Sequence, residues 1–426
     1  MILDRQLAPE FRGIKAINFL HPEQTDLANG AKLFSFNSGD QELVRIEWIF
    51  NNLRFDPAKP LSNMATNTML TDGTTTLTAA EIADKIDFYG AFLSVDYGFE
   101  QSLVTLYSLT KHLDKTLPVV KDILINSVFP QKELDTFIRN QQQKLQVSLK
   151  KNDVVARRTF NKALYGDTIY GVTAVAETYN TLKRDDLLTH YKEMYQPSNC
   201  TIVAAGKVDS ASLALLADIF GDTWNTDVVT ADTSQPEVVY GTEQFHFIER
   251  PEALQSAIRM GLPFINRLHT DFPAVQVLNT LLGGYFGSRL MNNIREDKGY
   301  TYGIGSGLTS YKQNGALFIA TEVGADVCKL TMIEIEKEIG LLKTQSVPDD
   351  ELELVRNYML GSLLGSLENV FSHADKFKNL HFSGLGYDYY ERYINIVKNI
   401  KADEILRLAN TYLDLDKFYR VIVGKY

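Results

Sequence analysis

The chain repeats itself. Pro130-x-x-Glu133-Leu134 recurs as Pro348-x-x-Glu351-Leu352. Asp186-Leu187-Leu188 recurs as Glu404-Ile405-Leu406, and Val203-Ala204-Ala205-Gly206-Lys207 as Val421-Ile422-Val423-Gly424-Lys425. All three matches keep one order and one offset of 218 residues. A single short match is noise, but three in register argue for a duplicated unit. A length of 426 residues suits two cores better than one. The polar, turn-rich stretch 222–244 reads as the connection, so halves are expected at 1–225 and 240–426 with a linker at 226–239.

The copies agree locally. A proline followed by acidic residues is a helix start, and Leu134, Phe137, Ile138, Leu145 and Leu149 then fall on one helical face. Each copy ends in a short amphipathic helix (185–195 and 402–413) and a β-rich run closing in Gly-Lys. Alternating or β-branched runs at 43–50, 91–97, 102–108 and 316–323 read as strands. Helices and strands mix without strict βαβ alternation. The expected class is α+β, with two homologous halves, each a largely antiparallel sheet with helices packed on one face.

Composition narrows the function. A formal net charge of -10 repels phosphate backbones, so nucleic acid is not an expected partner. Cys200 and Cys328 are the only cysteines, too few for a disulfide framework or a CxxC knuckle. No apolar run reaches the roughly 18 residues a membrane span needs. The start, MILDRQLAPEF, lacks the basic and apolar regions of a signal peptide. A cytoplasmic location is expected, or a periplasmic one if a signal has been removed. The group Lys150, Lys151, Arg157 and Arg158 reads as a solvated helix face.

Two segments carry chemistry. In the first, Met64-Ala65-Thr66-Asn67-Thr68-Met69 runs on to Gly73-Thr74, a helical stretch 79–89 and Gly90-Ala91. It resembles the metal-binding helix of the pitrilysin/insulinase metallopeptidases, the inverzincins, whose motif is H-x-x-E-H. Met64 stands at the first histidine position, Asn67 at the glutamate and Thr68 at the second histidine. Thioether, amide and hydroxyl are poor zinc donors beside imidazole and carboxylate. The family's third ligand is a glutamate on a later helix. Here the stretch reads Gln141-Gln142-Gln143-Lys144, and no glutamate lies between Glu133 and Glu177. All three ligands and the general base are missing together. No histidine is placed three or four residues from another, as a helical metal pair requires; His373 and His381 lie eight apart on one expected helix.

The second segment is Gly283-Gly284-Tyr285-Phe286-Gly287-Ser288-Arg289-Leu290, then Ile294-Arg295-Glu296-Asp297-Lys298-Gly299-Tyr300-Thr301-Tyr302. It resembles the same family's C-terminal-half signature over about twenty positions. By spacing alone, Arg295 reads as a cation at a helix C-terminus and Tyr302 as a strand aromatic. The resemblance implies more: a clamshell in which Arg295 and Tyr302 hold substrate backbone and help stabilise the developing oxyanion. Arg289 reads as a structural ion-pair partner. The glycines Gly283, Gly284 and Gly287 have two readings, close packing or backbone approach to a bound peptide.

The resemblance covers a zinc-less subunit of the mitochondrial processing peptidase type. It implies an H-x-x-E-H homologous subunit as heterodimer partner, zinc in that partner and none in this chain, and a peptide substrate. The alternative within the family is a purely structural or peptide-binding protein, like the respiratory-complex core subunits. An enzyme of other chemistry finds no support, since no G-x-S-x-G, P-loop or CxxC is present. Asp349-Asp350 fit helix capping.

Overall fold

A computed structural model of the chain describes residue 14 and residues 16–52, 55–221 and 238–426. The expected linker, 226–239, lies outside the described residues apart from 238 and 239.

Each repeat builds one sheet. The first uses β1 (Glu23–Asp26), β2 (Lys32–Asn37), β3 (Leu43–Asn51), β4 (Phe92–Tyr97), β5 (Gln101–Leu109) and β6 (Cys200–Gly206), in the order β1-β2-β6-β3-β5-β4. The second uses β7 (Phe245–Glu249), β8 (Gln255–Phe264), β9 (Thr301–Ser310), β10 (Gly315–Gly324) and β11 (Tyr419–Gly424), in the order β7-β11-β8-β10-β9. Apart from β1, the two orders are the same. Among the described residues the parallel pairs are β2 with β6 and β7 with β11, so both sheets are mixed and largely antiparallel. Gly206 and Gly424, one repeat apart, both take positive φ (120° and 137°). A Cβ on Gly206 would lie 2.2 Å from the Leu43 carbonyl oxygen, and one on Gly424 would lie 2.8 Å from Ser256 Cα. Only glycine fits where the last strand leaves each sheet.

The helices of the first repeat are α1 (Ser62–Thr68), α2 (Ala79–Asp87), α3 (Leu113–Asn126), α4 (Gln131–Ser148), α5 (Asn152–Tyr165), α6 (Ala176–Tyr179), α7 (Arg184–Met194) and α8 (Ser210–Gly221). Those of the second are α9 (Phe272–Asn279), α10 (Cys328–Thr344), α11 (Asp349–Gly365), α12 (Val370–His381), α13 (Asp388–Asn399) and α14 (Ala402–Tyr412), with π-helical turns at Thr280–Gly284 and Met291–Asp297. Pro130 and Pro348 are the N-caps of α4 and α11, both extended at ψ 137° and 145°. The prolines thus stand one position before the helices they start.

Most helices of each half cover one face of its own sheet, as the amphipathic patterns predict. The inner faces of both sheets bury separate cores, one around Trp48, Phe50 and Leu106, the other around Met260, Leu317 and Ile422. The opposite faces hold a finding the periodicity does not disclose. Helix α5, from the first repeat, packs Ala156 and Phe160 on Ala257, Val421 and Val423 of the second sheet. Its counterpart 218 residues later, α12, packs Ala374 and Phe377 on Phe34, Val203 and Ala205 of the first. The halves are joined by a reciprocal exchange of helices, so each sheet is sandwiched.

The two exchanged contacts use different physics. Under α5, the Arg259 guanidinium stacks on Phe318 (4.5 Å) and Phe160 (5.5 Å). Under α12, Arg45 and Glu47, both nearly buried, pair with each other at 3.2 Å and with Asp375 and Lys378 at 2.7 and 2.6 Å. A buried charge network is stable only while each member keeps its partners. The halves also meet where Tyr170 stacks on Tyr311 at 4.2 Å and Glu100 accepts hydrogen bonds from the Tyr170 hydroxyl and the Lys312 amide.

Among the described residues, no helix is long and apolar enough to cross a membrane.

Candidate functional site

Helix α1 carries the positions where the resemblance puts zinc ligands, and the fold packs it against the first core. Asn67 is fully buried. Its Nδ2 donates to the Tyr195 hydroxyl at 3.1 Å, while its Oδ1 has no partner. Thr68 Oγ1 donates back to the Met64 carbonyl at 2.8 Å, closing one turn of helix on itself. The Met64 side chain packs against the first core. On the later helix, α4, Gln142 donates to the Ala176 carbonyl and to Asn180, both at 2.9 Å.

Burial shifts the titratable groups around α1 toward their uncharged forms. His190 on α7 meets Asn63 Oδ1 at 3.1 Å through Nε2, and burial pushes its pKa down to about 4. Asp72, just past α1, is pushed up to about 6, first by burial and then by Glu133. Surroundings that favour uncharged forms disfavour a dication with too few anionic ligands. Among the described residues, no group of three His, Cys, Asp or Glu side chains is arranged to hold a metal. The donors present do not fit zinc, because the amide, hydroxyl and thioether of α1 are neutral and weak ligands for it.

The histidines have local partners. His373 is buried on α12, where Nδ1 accepts from the Leu20 amide at 3.2 Å. His381 stacks on Phe377 at 5.2 Å and lies edge-on to Phe34 at 4.9 Å.

The second segment is built differently. The chain leaves α9 through the first π-helical turn, crosses the glycine loop and enters the second π-helical turn. That turn ends at Gly299 (φ 65°), whose amide donates to the Arg295 carbonyl at 3.1 Å. π-helical turns are uncommon and displace side chains from the regular helical track. Arg295 emerges beside Glu296, with which it pairs. Its guanidinium lies 4.6 Å from the Phe286 ring centroid and 6.0 Å from that of Tyr302. Tyr302 is 93% exposed and Phe286 66% exposed. Tyr302 stands on β9, the edge strand of the second sheet. Arg295 and Tyr302, seven residues apart in sequence, therefore form one displayed cation–aromatic group. Phe286, quoted in the sequence motif without a role, is its third member.

Arg289 does what its helical placement suggests. It makes a bidentate pair with Glu351, both bonds at 2.8 Å. Gly283 is buried; a Cβ there would lie 2.6 Å from the Ser306 amide of β9. A Cβ on Gly287 would lie 2.8 Å from the Tyr285 ring. Close packing accounts for both. Gly284 is exposed beside Asn279.

Between the halves lies a cavity of about 380 Å³ lined by Gln101 and Leu103 of β5, Ser310 and Tyr311 at the end of β9, and Lys378 of α12. Arg295 and Tyr302 do not line it, and among the described residues their ion pair and ring contacts stay within the second half.

Comparison with known proteins agrees with this anatomy. Residues 181–359 match the family described as the peptidase M16 inactive domain. An uncharacterised zinc protease of Rickettsia felis is 26% identical, covering 79% of this chain and 81% of that one. A Helicobacter pylori protein named as a non-peptidase homologue, YmxG, is 23% identical over 84% of this chain and 82% of its own. Among solved structures, a peptidase M16 inactive domain from Pseudomonas fluorescens superposes with a TM-score of 0.83 at 20% identity, covering 96% of this chain and 99% of that one. The periplasmic protease PqqL of Escherichia coli matches all of this chain with 48% of its own length, at a TM-score of 0.76 and 14% identity. The duplicated clamshell, the α1 helix without metal ligands and these likenesses point one way: the chain is similar to the pitrilysin-like M16 peptidases, of the inactive type.

Proposed function

We propose that this chain is the zinc-less subunit of a two-chain metallopeptidase, lending Arg295 and Tyr302 to a cavity completed by an H-x-x-E-H partner. The observation that carries this reading is the contrast between its two motif segments. On α1 Asn67 is sealed into the core, whereas Tyr302 is displayed on edge strand β9 with Arg295, from the second π-helical turn, beside it. A guanidinium and a phenol have the donors to hold a peptide carbonyl and to stabilise an oxyanion on it. The free edge of β9 can take an extended peptide as an added strand. The partner would supply the zinc and the base; this chain would orient the substrate. The halves 1–225 and 240–426 and a cytoplasmic location belong to the same reading.

The test is mixing. The purified chain alone should cleave no peptide. Adding an H-x-x-E-H homologue from the same genome should give activity, which Arg295→Ala lowers by about 10²-fold, the scale of one lost oxyanion donor. Tyr302→Phe should lower it by about tenfold. Full activity with Arg295→Ala would remove the role from that residue. A second reading, a structural or peptide-binding protein, draws on the Helicobacter pylori likeness. Failure of every H-x-x-E-H homologue to gain activity would favour it.

A further inference from the structure

The second half contains a cavity that the peptidase reading does not use. It holds about 410 Å³ between α9, the first π-helical turn, α11, α12 and α13. Its walls include Arg267, Lys376 and four tyrosines, Tyr358, Tyr389, Tyr390 and Tyr393, and no aspartate or glutamate lines it. That is unexpected in a chain of net charge -10.

Neither cation has a salt bridge among the described residues, and the field of Asp375 only partly offsets the charge of Lys376. Arg267 donates through Nη1 to the Asn379 carbonyl at 3.0 Å and makes no ion pair among the described residues. Lys376 likewise has none there. Its acidic neighbour Asp375 is committed to Arg45 and Lys378. Burial, and then the Arg267 charge, push the Lys376 pKa below its ordinary value. Two like charges brought together in a half-buried cavity are unfavourable unless an anion joins them. One more group is unsatisfied: Asn279, on the same wall, has a buried Oδ1 with no donor.

The geometry points to a binding site for a free α-carboxylate with its adjacent amide N–H, from a peptide C-terminus or a small N-acyl amino acid. The carboxylate would take the guanidinium fork and the ammonium. The N–H would donate to Asn279 Oδ1 once that half-buried side chain turns the shielded oxygen toward the cavity. The tyrosine rings would receive a flat or aliphatic side chain. Such binding needs neither zinc nor a partner chain, so it stands or falls apart from the peptidase proposal.

The test uses the full chain and calorimetric titration. N-acetyl-phenylalanine should bind with a dissociation constant on the order of 1 mM or tighter. Its carboxamide, which lacks the charge, should bind at least about tenfold more weakly. Lys376→Met should weaken the acid by about tenfold, and Lys376→Arg should restore it to within about threefold. An acetylated hexapeptide ending in phenylalanine separates the sources. If it binds as the short acid does, the site takes a peptide terminus; if only the short acid binds, it takes a free metabolite. Equal binding of acid and amide, undiminished binding by Lys376→Met, or no heat from the acid overturns the inference. Should Lys376→Met fail to fold, the acid-to-amide ratio on the unaltered chain decides alone.

Discussion

Helix α1 and the edge of β9 carry the two motif segments of one fold family, and they have gone opposite ways. On α1 the polar side chains turn inward: Asn67 is 0% exposed and bonded to Tyr195, and the buried Asn63 meets the half-buried His190. At β9 they turn outward: Tyr302 is 93% exposed, with Arg295 over its ring and that of Phe286. Polar groups sealed into a core contribute to stability and are out of reach of a ligand. Polar groups displayed at an edge contribute little to stability and are available. A helix without metal ligands therefore need not leave a hole, because a position such as Asn67 can serve as core.

That contrast can be broken most forcefully at Asn67. Asn67→Glu restores the family's residue type but places a carboxylate where no cation waits. It should lower unfolding free energy in urea by about 4 kcal/mol, the cost of a buried unpaired charge. A variant as stable as the parent chain would mean that α1 is still open.

His190 gives the next effect. Its folded pKa, about 4, lies below the ordinary 6.5, so between those values the unfolded chain binds the extra proton. Stability should be full above pH 6.5 and fall as pH drops from 6.5 toward 4, by up to about 1.4 kcal/mol per pH unit. Denaturation midpoints across that window measure the slope, and His190→Gln should remove this contribution to it.

The outward segment predicts small numbers. Glu351→Gln breaks the bidentate pair to Arg289, a partly buried contact, and should cost about 1 kcal/mol. Arg295→Ala and Tyr302→Phe should each change stability by less than about 0.5 kcal/mol. A large loss of stability in Arg295→Ala would turn the displayed group into a structural one and erase the contrast.

Much of the fold was legible in the chain. The 218-residue repeat places Pro130 and Pro348 before equivalent helices and Gly206 and Gly424 at equivalent strand ends. The strand runs around 43–50, 102–108 and 316–323 coincide with β3, β5 and β10 to within a residue or so. The exchange of α5 and α12 was not legible, because an apolar stripe says that a helix is buried and not which sheet buries it. Nor were the pairs Asn67–Tyr195 and Asn63–His190, whose members are 128 and 127 residues apart. Local spacing carries no signal for such contacts. Arg289 could be read as an ion-pair member, but Glu351 as its partner needed the fold. The anionic-ligand cavity had one sequence cue, the tyrosine-rich run Tyr387-Asp388-Tyr389-Tyr390-Glu391-Arg392-Tyr393. Its cations, Arg267 and Lys376, come from distant segments.

Helix α1 is expected to hold no metal, because its amide, hydroxyl and thioether are neutral, weak zinc ligands. Titration of the purified, chelator-stripped chain with zinc, followed by calorimetry and by metal content after desalting, tests this directly. No stoichiometric uptake is expected, and no change when Thr68 is replaced by alanine. One zinc retained per chain, and lost in Thr68→Ala or Asn67→Ala, would contradict it.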